Sequence, residues 1–214
     1  MTTAAHLISA LTHPLFMLTI GLGLVMAANP YAFGFRELEQ GWQITLLCFI
    51  YTFIFPAITL LIMRGLGMVN SLSLESKEER WGPLIATLAF YFWFFANIRQ
   101  NPNVPDPFES FTLGACIALS LAFMVTLFEK VSLHAVGVGG LVGLVGILGW
   151  VYDEPIFTIG AVRVHAFVAL ATLLILSGVI GSARLHLKAH DTRDIIAGFL
   201  IGLASQFFAV RILY

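Results

Sequence analysis

The residues best placed to do chemistry lie between two strongly apolar runs, in the segment Arg184-Leu185-His186-Leu187-Lys188-Ala189-His190-Asp191-Thr192-Arg193-Asp194. His190 and Asp194 are four apart, so with His190 at the start of a helix the carboxylate reaches the ring. A carboxylate bonded to one imidazole nitrogen fixes the tautomer and makes the other a better nucleophile or base. Arg184 adds an always-charged planar fork suited to phosphate. Two further polar clusters stand out: Val131-Ser132-Leu133-His134, and Lys77-Glu78-Glu79-Arg80. Phosphoryl transfer needs positive charge around the equatorial oxygens and an in-line nucleophile. Two histidines and several cations, without a metal-ligand cluster, suit a metal-free covalent route with no cofactor. His186 and His190 are spaced like zinc ligands, but a third ligand at suitable spacing is missing.

The elements that must position these residues are membrane helices. Of 214 residues 59% are hydrophobic and 11% charged, whereas a soluble domain carries about 25% charged residues. The apolar residues gather in runs long enough to cross about 30 Å of hydrocarbon, where only helices and closed barrels satisfy the backbone. Seven runs are read, at about 7–28, 42–63, 84–98, 111–128, 135–151, 164–180 and 195–213. Pro56 is expected to kink the second, and the aromatic third run, with Phe90 to Phe95, to pack against lipid. Glycines 137, 139, 140, 143, 146 and 149 permit close helix approach, which places the fifth run at the centre. Gly198 and Gly202 mark another close contact. The fold class is therefore an all-α polytopic bundle, a single transmembrane domain over 1–214. A net charge of −1 offers no basic face for nucleic acid. Cys48 and Cys116 both sit in apolar runs and read as packing residues.

Even numbers of crossings separate the loops at Lys77, His134 and His190, so all three share one face. On that face the sequence resembles the type 2 phosphatidic-acid-phosphatase superfamily of membrane lipid phosphatases. Its third motif, Ser-Arg-x5-His-x3-Asp, is matched from Ala183-Arg184 through His190 to Asp194, except at the serine. Its second, Pro-Ser-Gly-His, is matched at Ser132 and His134. Its first, Lys-x6-Arg-Pro, is echoed by Lys77 and Arg80 ahead of Pro83, with Leu84 where the pattern wants arginine. The resemblance covers 77–214, the phosphatase-like core, and leaves two extra helices over 7–65. It implies that His190 attacks phosphorus, Asp194 orients it and His134 protonates the leaving alkoxide. It implies further that Arg184, Ser132, the Leu133 N–H, Lys77 and Arg80 hold the phosphoryl oxygens. The substrate would be a lipid phosphomonoester or pyrophosphate in the bilayer.

Plainer readings stand beside these. A basic stretch between spans anchors a protein at the interface, which suits Lys188 and Arg193. His134 alone would be an interfacial histidine, and Lys77 and Arg80 could pair with Glu75, Glu78 or Glu79. A family member altered to bind lipid phosphate or to serve in a membrane complex is one rival, and a transporter another. Transporters place charge near the midplane, whereas these charges gather at one interface. The positive-inside count puts the site face in the cytoplasm. The resemblance instead implies a bacterial inner membrane with the site facing the periplasm. The glycine-rich helix suits packing within one chain or a homo-oligomer.

Overall fold

Hydrocarbon offers no water to a free backbone group, so each apolar run closes its own hydrogen bonds as a helix. The computed structural model describes residues 2–34, 41–71, 74, 76–99 and 101–214, apart from the side chain of Lys77. Its helices are α1 (Thr2–Leu11), α2 (Met17–Ala28), α3 (Trp42–Phe49), α4 (Phe55–Gly65), α5 (Lys77–Ile98), α6 (Asp106–Thr126), α7 (Leu133–Trp150), α8 (Ala166–His186) and α9 (Thr192–Leu213). They make seven stretches long and apolar enough to cross a membrane, α1–α2 and α3–α4 each forming one. The protein is an all-α integral membrane bundle. An antiparallel hairpin, β1 (Ile156–Ile159) with β2 (Val162–His165), pairs Ile156 with His165 on the face away from the candidate site.

The two interrupted spans break at proline. Pro14 and Pro56 bring no N–H to the helical ladder. Pro14 opens a short 3-10 turn, Pro14–Phe16, between α1 and α2. Ahead of Pro56 the chain widens into a π-helical stretch, Ile50–Ile54, a usual accommodation for an interrupted ladder. Helix α5 begins earlier than the apolar run foretells, at Lys77 rather than near residue 84. Ser76 accepts a hydrogen bond from the Glu79 N–H at 3.2 Å, and Ser76-x-x-Glu79 is a capping-box spacing. The aromatic run also departs from expectation. Tyr91, Phe94 and Phe95 are buried, while Phe92 and Trp93 face outward, because an amphipathic period divides the run between core and lipid.

Helix α7 is the central element: 72% of its span is buried, against 17% for α3–α4 and for α8. It packs most heavily on α9. A Cβ at Gly202 would strike the Val136 carbonyl, and one at Gly198 would come within 2.6 Å of the Ser132 carbonyl. Only glycine permits this approach. The contact sets the start of α7 beside the start of α9, where the Ser132 N–H donates to the Asp194 carbonyl at 3.2 Å.

Helix α8 ends in a Schellman turn. Lys188 N–H donates to the Leu185 carbonyl at 2.9 Å and Ala189 N–H to the Arg184 carbonyl at 3.2 Å. The turn fixes Arg184 and His190 relative to one another. Lys188 occupies the left-handed position, with φ 51°, where glycine avoids a steric cost of roughly 1–2 kcal/mol. Lys188→Gly is expected to raise stability by about 1 kcal/mol, read as a higher thermal midpoint in detergent. An unchanged or lower midpoint would show that the lysine side chain offsets the strain.

Candidate active site

Four of the residues singled out by spacing line a single cavity of about 220 Å³: Arg80 from α5, His134 from α7, Arg184 from α8, and His190 ahead of α9. Leu133 and Leu84 line it as well. The site face holds the ends of α4, α6 and α8 and the starts of α5, α7 and α9, so loops far apart in sequence meet there.

His190 is buried, and its Nδ1 lies 3.0 Å from Asp194 Oδ2. With Nδ1–H donating to the carboxylate, Nε2 keeps its lone pair. Burial holds the imidazole below its ordinary pKa of 6.5, and the charges of Arg80 and Arg184 add to that lowering. The bond to Asp194 opposes it without reversing it. The ring is therefore neutral at neutral pH, the form in which an imidazole attacks phosphorus. Asp194 has a second task. Its Oδ2 accepts from the Asp191 N–H at 3.4 Å, while Asp191 Oδ1 accepts from the Asp194 N–H at 2.9 Å. This reciprocal cap starts α9 and fixes the carboxylate that holds His190.

The two guanidiniums are anchored by neutral oxygens. Arg80 Nε donates to the Leu74 carbonyl at 2.9 Å and Nη1 to the Val131 carbonyl at 3.3 Å. Arg184 Nη1 donates to Ser9 Oγ at 3.2 Å. Neither forms a salt bridge with a carboxylate among the described residues, so Arg80 is not paired with Glu78 or Glu79, and Glu75, the third expected partner, lies outside the described residues. Arg184 Nε and Ser132 Oγ are buried without a hydrogen-bond partner among the described residues. Unpaired buried donors are rare and costly. Ser132 also stands at the N-cap of α7 without capping it, which leaves first-turn N–H groups, including that of Leu133, open to an anion. Lys77 begins α5, but its side chain lies outside the described residues.

Spacing alone did not reveal the part played by the N-terminal span. α1 packs against α8, and its last turn enters the cluster. His134 Nε2–H donates to the Ser9 carbonyl at 3.0 Å. That carbonyl is one of those a helix leaves unpaired at its C-terminal end. The His13 ring stands edge-on to His134, with centroids 5.9 Å apart, and lines the cavity. A polar serine and histidine ahead of Pro14 were the available signal, since proline there frees carbonyls that must find donors.

Among the described residues, no three His, Cys, Asp or Glu side chains gather as a metal site. The cavity's charged lining is cationic and imidazole, a donor set that fits an anion. No family model, curated protein or solved structure matches the chain.

Proposed function

We propose that this protein is a membrane lipid phosphatase that hydrolyses a phosphomonoester or pyrophosphate through a phosphohistidine on His190. The observation that carries this reading is a buried, carboxylate-oriented imidazole in one cavity with two guanidiniums that form no salt bridge with a carboxylate among the described residues. The His190 Nε2 lone pair attacks phosphorus, and the bond to the leaving oxygen breaks. His134, protonated on both ring nitrogens in the substrate complex, gives its Nε2 proton to that oxygen and becomes a neutral imidazole. Water then attacks the phosphoryl group, His134 takes a proton from that water, and phosphate leaves with His190 restored. Arg80, Arg184, Ser132 and the Leu133 N–H stabilise the equatorial oxygens. The hydroxyl and carbonyl of Ser9 now occupy donors of Arg184 and His134, and a bound phosphoryl group would take both over. The lipid tail stays in the bilayer, and the site faces the periplasm of a bacterial inner membrane.

The bond from His134 to the Ser9 carbonyl favours a second reading, in which His134 is a helix cap and the chain binds lipid phosphate without cleaving it. The two separate by phosphate release from a panel of lipid phosphates and pyrophosphates in detergent with chelator. Release supports the phosphatase. Binding without release from a folded, monodisperse protein supports the second reading.

The pH dependence follows from the depressed His190. Protonation removes the attacking lone pair, so kcat/KM falls only as pH drops through a value below 6.5, the ordinary histidine range. A pH–rate profile whose acid limb lies at or above that value would count against His190 as the nucleophile.

A further inference from the structure

The cavity does not end at the charged cluster. It continues into the bundle past Thr87, Tyr91 and Phe111 to Gln206 of α9. Gln206 is 2% exposed and makes no hydrogen bond with any described residue. Its place is prepared by glycine on two other helices. A Cβ at Gly114 of α6 would overlap the amide, and one at Gly143 of α7 would come within 2.9 Å of Cγ. The amide nitrogen lies against Gly140, where a Cβ would be 3.4 Å away. A primary amide inside hydrocarbon with no partner is costly, and intramembrane polar groups that face a cavity mark substrate paths.

We infer that the inner part of the cavity binds the linkage region of the lipid, and that the Gln206 amide N–H donates to an acyl ester carbonyl of the substrate. This rests on the lipid-phosphatase reading. Along α7, Gly140 lies six residues beyond His134, about 9 Å at 1.5 Å per residue. In a phosphoglycerol ester the farther carbonyl carbon is about six bonds from phosphorus, roughly 7–8 Å when extended. With phosphate beside His190, a carbonyl therefore reaches toward the amide. A polyisoprenyl phosphate or an ether lipid places only hydrocarbon, or a weak ether oxygen, at that depth and leaves the amide unpaired. A site built around a hydrogen bond discriminates against analogues that lack it. Gln206 is then a specificity residue that does not touch the reacting atoms.

The test compares a diacylglycerol phosphate, its dialkyl ether analogue and a polyprenyl phosphate in mixed micelles. The full-length protein is set beside Gln206→Met, which keeps an unbranched side chain in the glycine-lined slot. The wild type is expected to prefer the diester over the ether by about tenfold in kcat/KM. Gln206→Met is expected to reduce that preference to about twofold, with turnover of the ether and the polyprenyl lipid little changed. Equal losses on all three lipids, or an intact preference in Gln206→Met, would overturn the assignment. Thermal shifts of His190→Ala with the diester and the ether read the same cavity without turnover. A larger shift with the diester that disappears on adding Gln206→Met supports the Gln206 site even if no lipid is cleaved. Cleavage without any diester preference overturns the Gln206 site and leaves the phosphatase standing.

Discussion

His190→Ala is expected to lower phosphate release by about 10³-fold or more while leaving the protein folded. Among the described residues lining the cavity, this side chain alone combines a free lone pair, a carboxylate partner and charge neutrality. Removing a nucleophile eliminates the covalent route, leaving only what binding and the surrounding donors supply. The fold should survive. The start of α9 is held by the reciprocal bonds between Asp191 and Asp194, and none of these involves the histidine ring. Asp194→Ala is a poorer probe, because it removes the orienting carboxylate and half of that cap together. Comparing rates at fixed lipid mole fraction, with thermal midpoints as the folding control, checks the expectation. A fall of less than tenfold would remove His190 from the nucleophile's role.

The second large effect is expected at Arg184. Arg184→Met should cost about 10²–10³-fold in kcat/KM, the usual loss when one donor to a developing oxyanion is removed. Among the described residues Arg184 Nε is buried without a partner and Nη1 bonds the Ser9 hydroxyl, so the guanidinium keeps donors for phosphate. Arg184→Lys should recover only part of the loss, since an ammonium keeps the charge but not the planar fork. Full recovery with lysine would show that charge alone is used. No loss in Arg184→Met would assign the arginine to holding α1 instead.

The seven spans were legible because hydrocarbon imposes length and apolarity on each one separately, and the central place of α7 was legible from its glycines. Arg184, His190 and Asp194 were legible for a similar reason. They lie within one turn and two helix ends, so sequence spacing fixes their separation. The start of α5 was missed because hydropathy governs the search for spans and is blind to a polar first turn, although Ser76 and Glu79 carried the capping signal. The hairpin at residues 156–165 escapes a search for spans because its strands are too short to cross a membrane, though β-branched residues lie near Gly160, whose φ is 59°. Gln206 was not legible, and Ser9 and His13 carried a signal only through Pro14, which does not say what they meet. Their positions follow from how α1 leans on α8 and how three helices part around one amide. Both are properties of tertiary packing, with no fixed spacing along the chain.

The proposed hydrolysis passes through a covalent bond between His190 and phosphorus, and trapping that bond is its most direct test. Wild-type protein turning over a lipid phosphate is quenched in base, digested and analysed by mass spectrometry. The peptide containing His190 is predicted to gain the mass of one phosphoryl group, to lose it in acid and to lack it entirely in His190→Ala. Steady phosphate release with no phosphoryl group on any histidine, and with His190→Ala still active, would contradict the account.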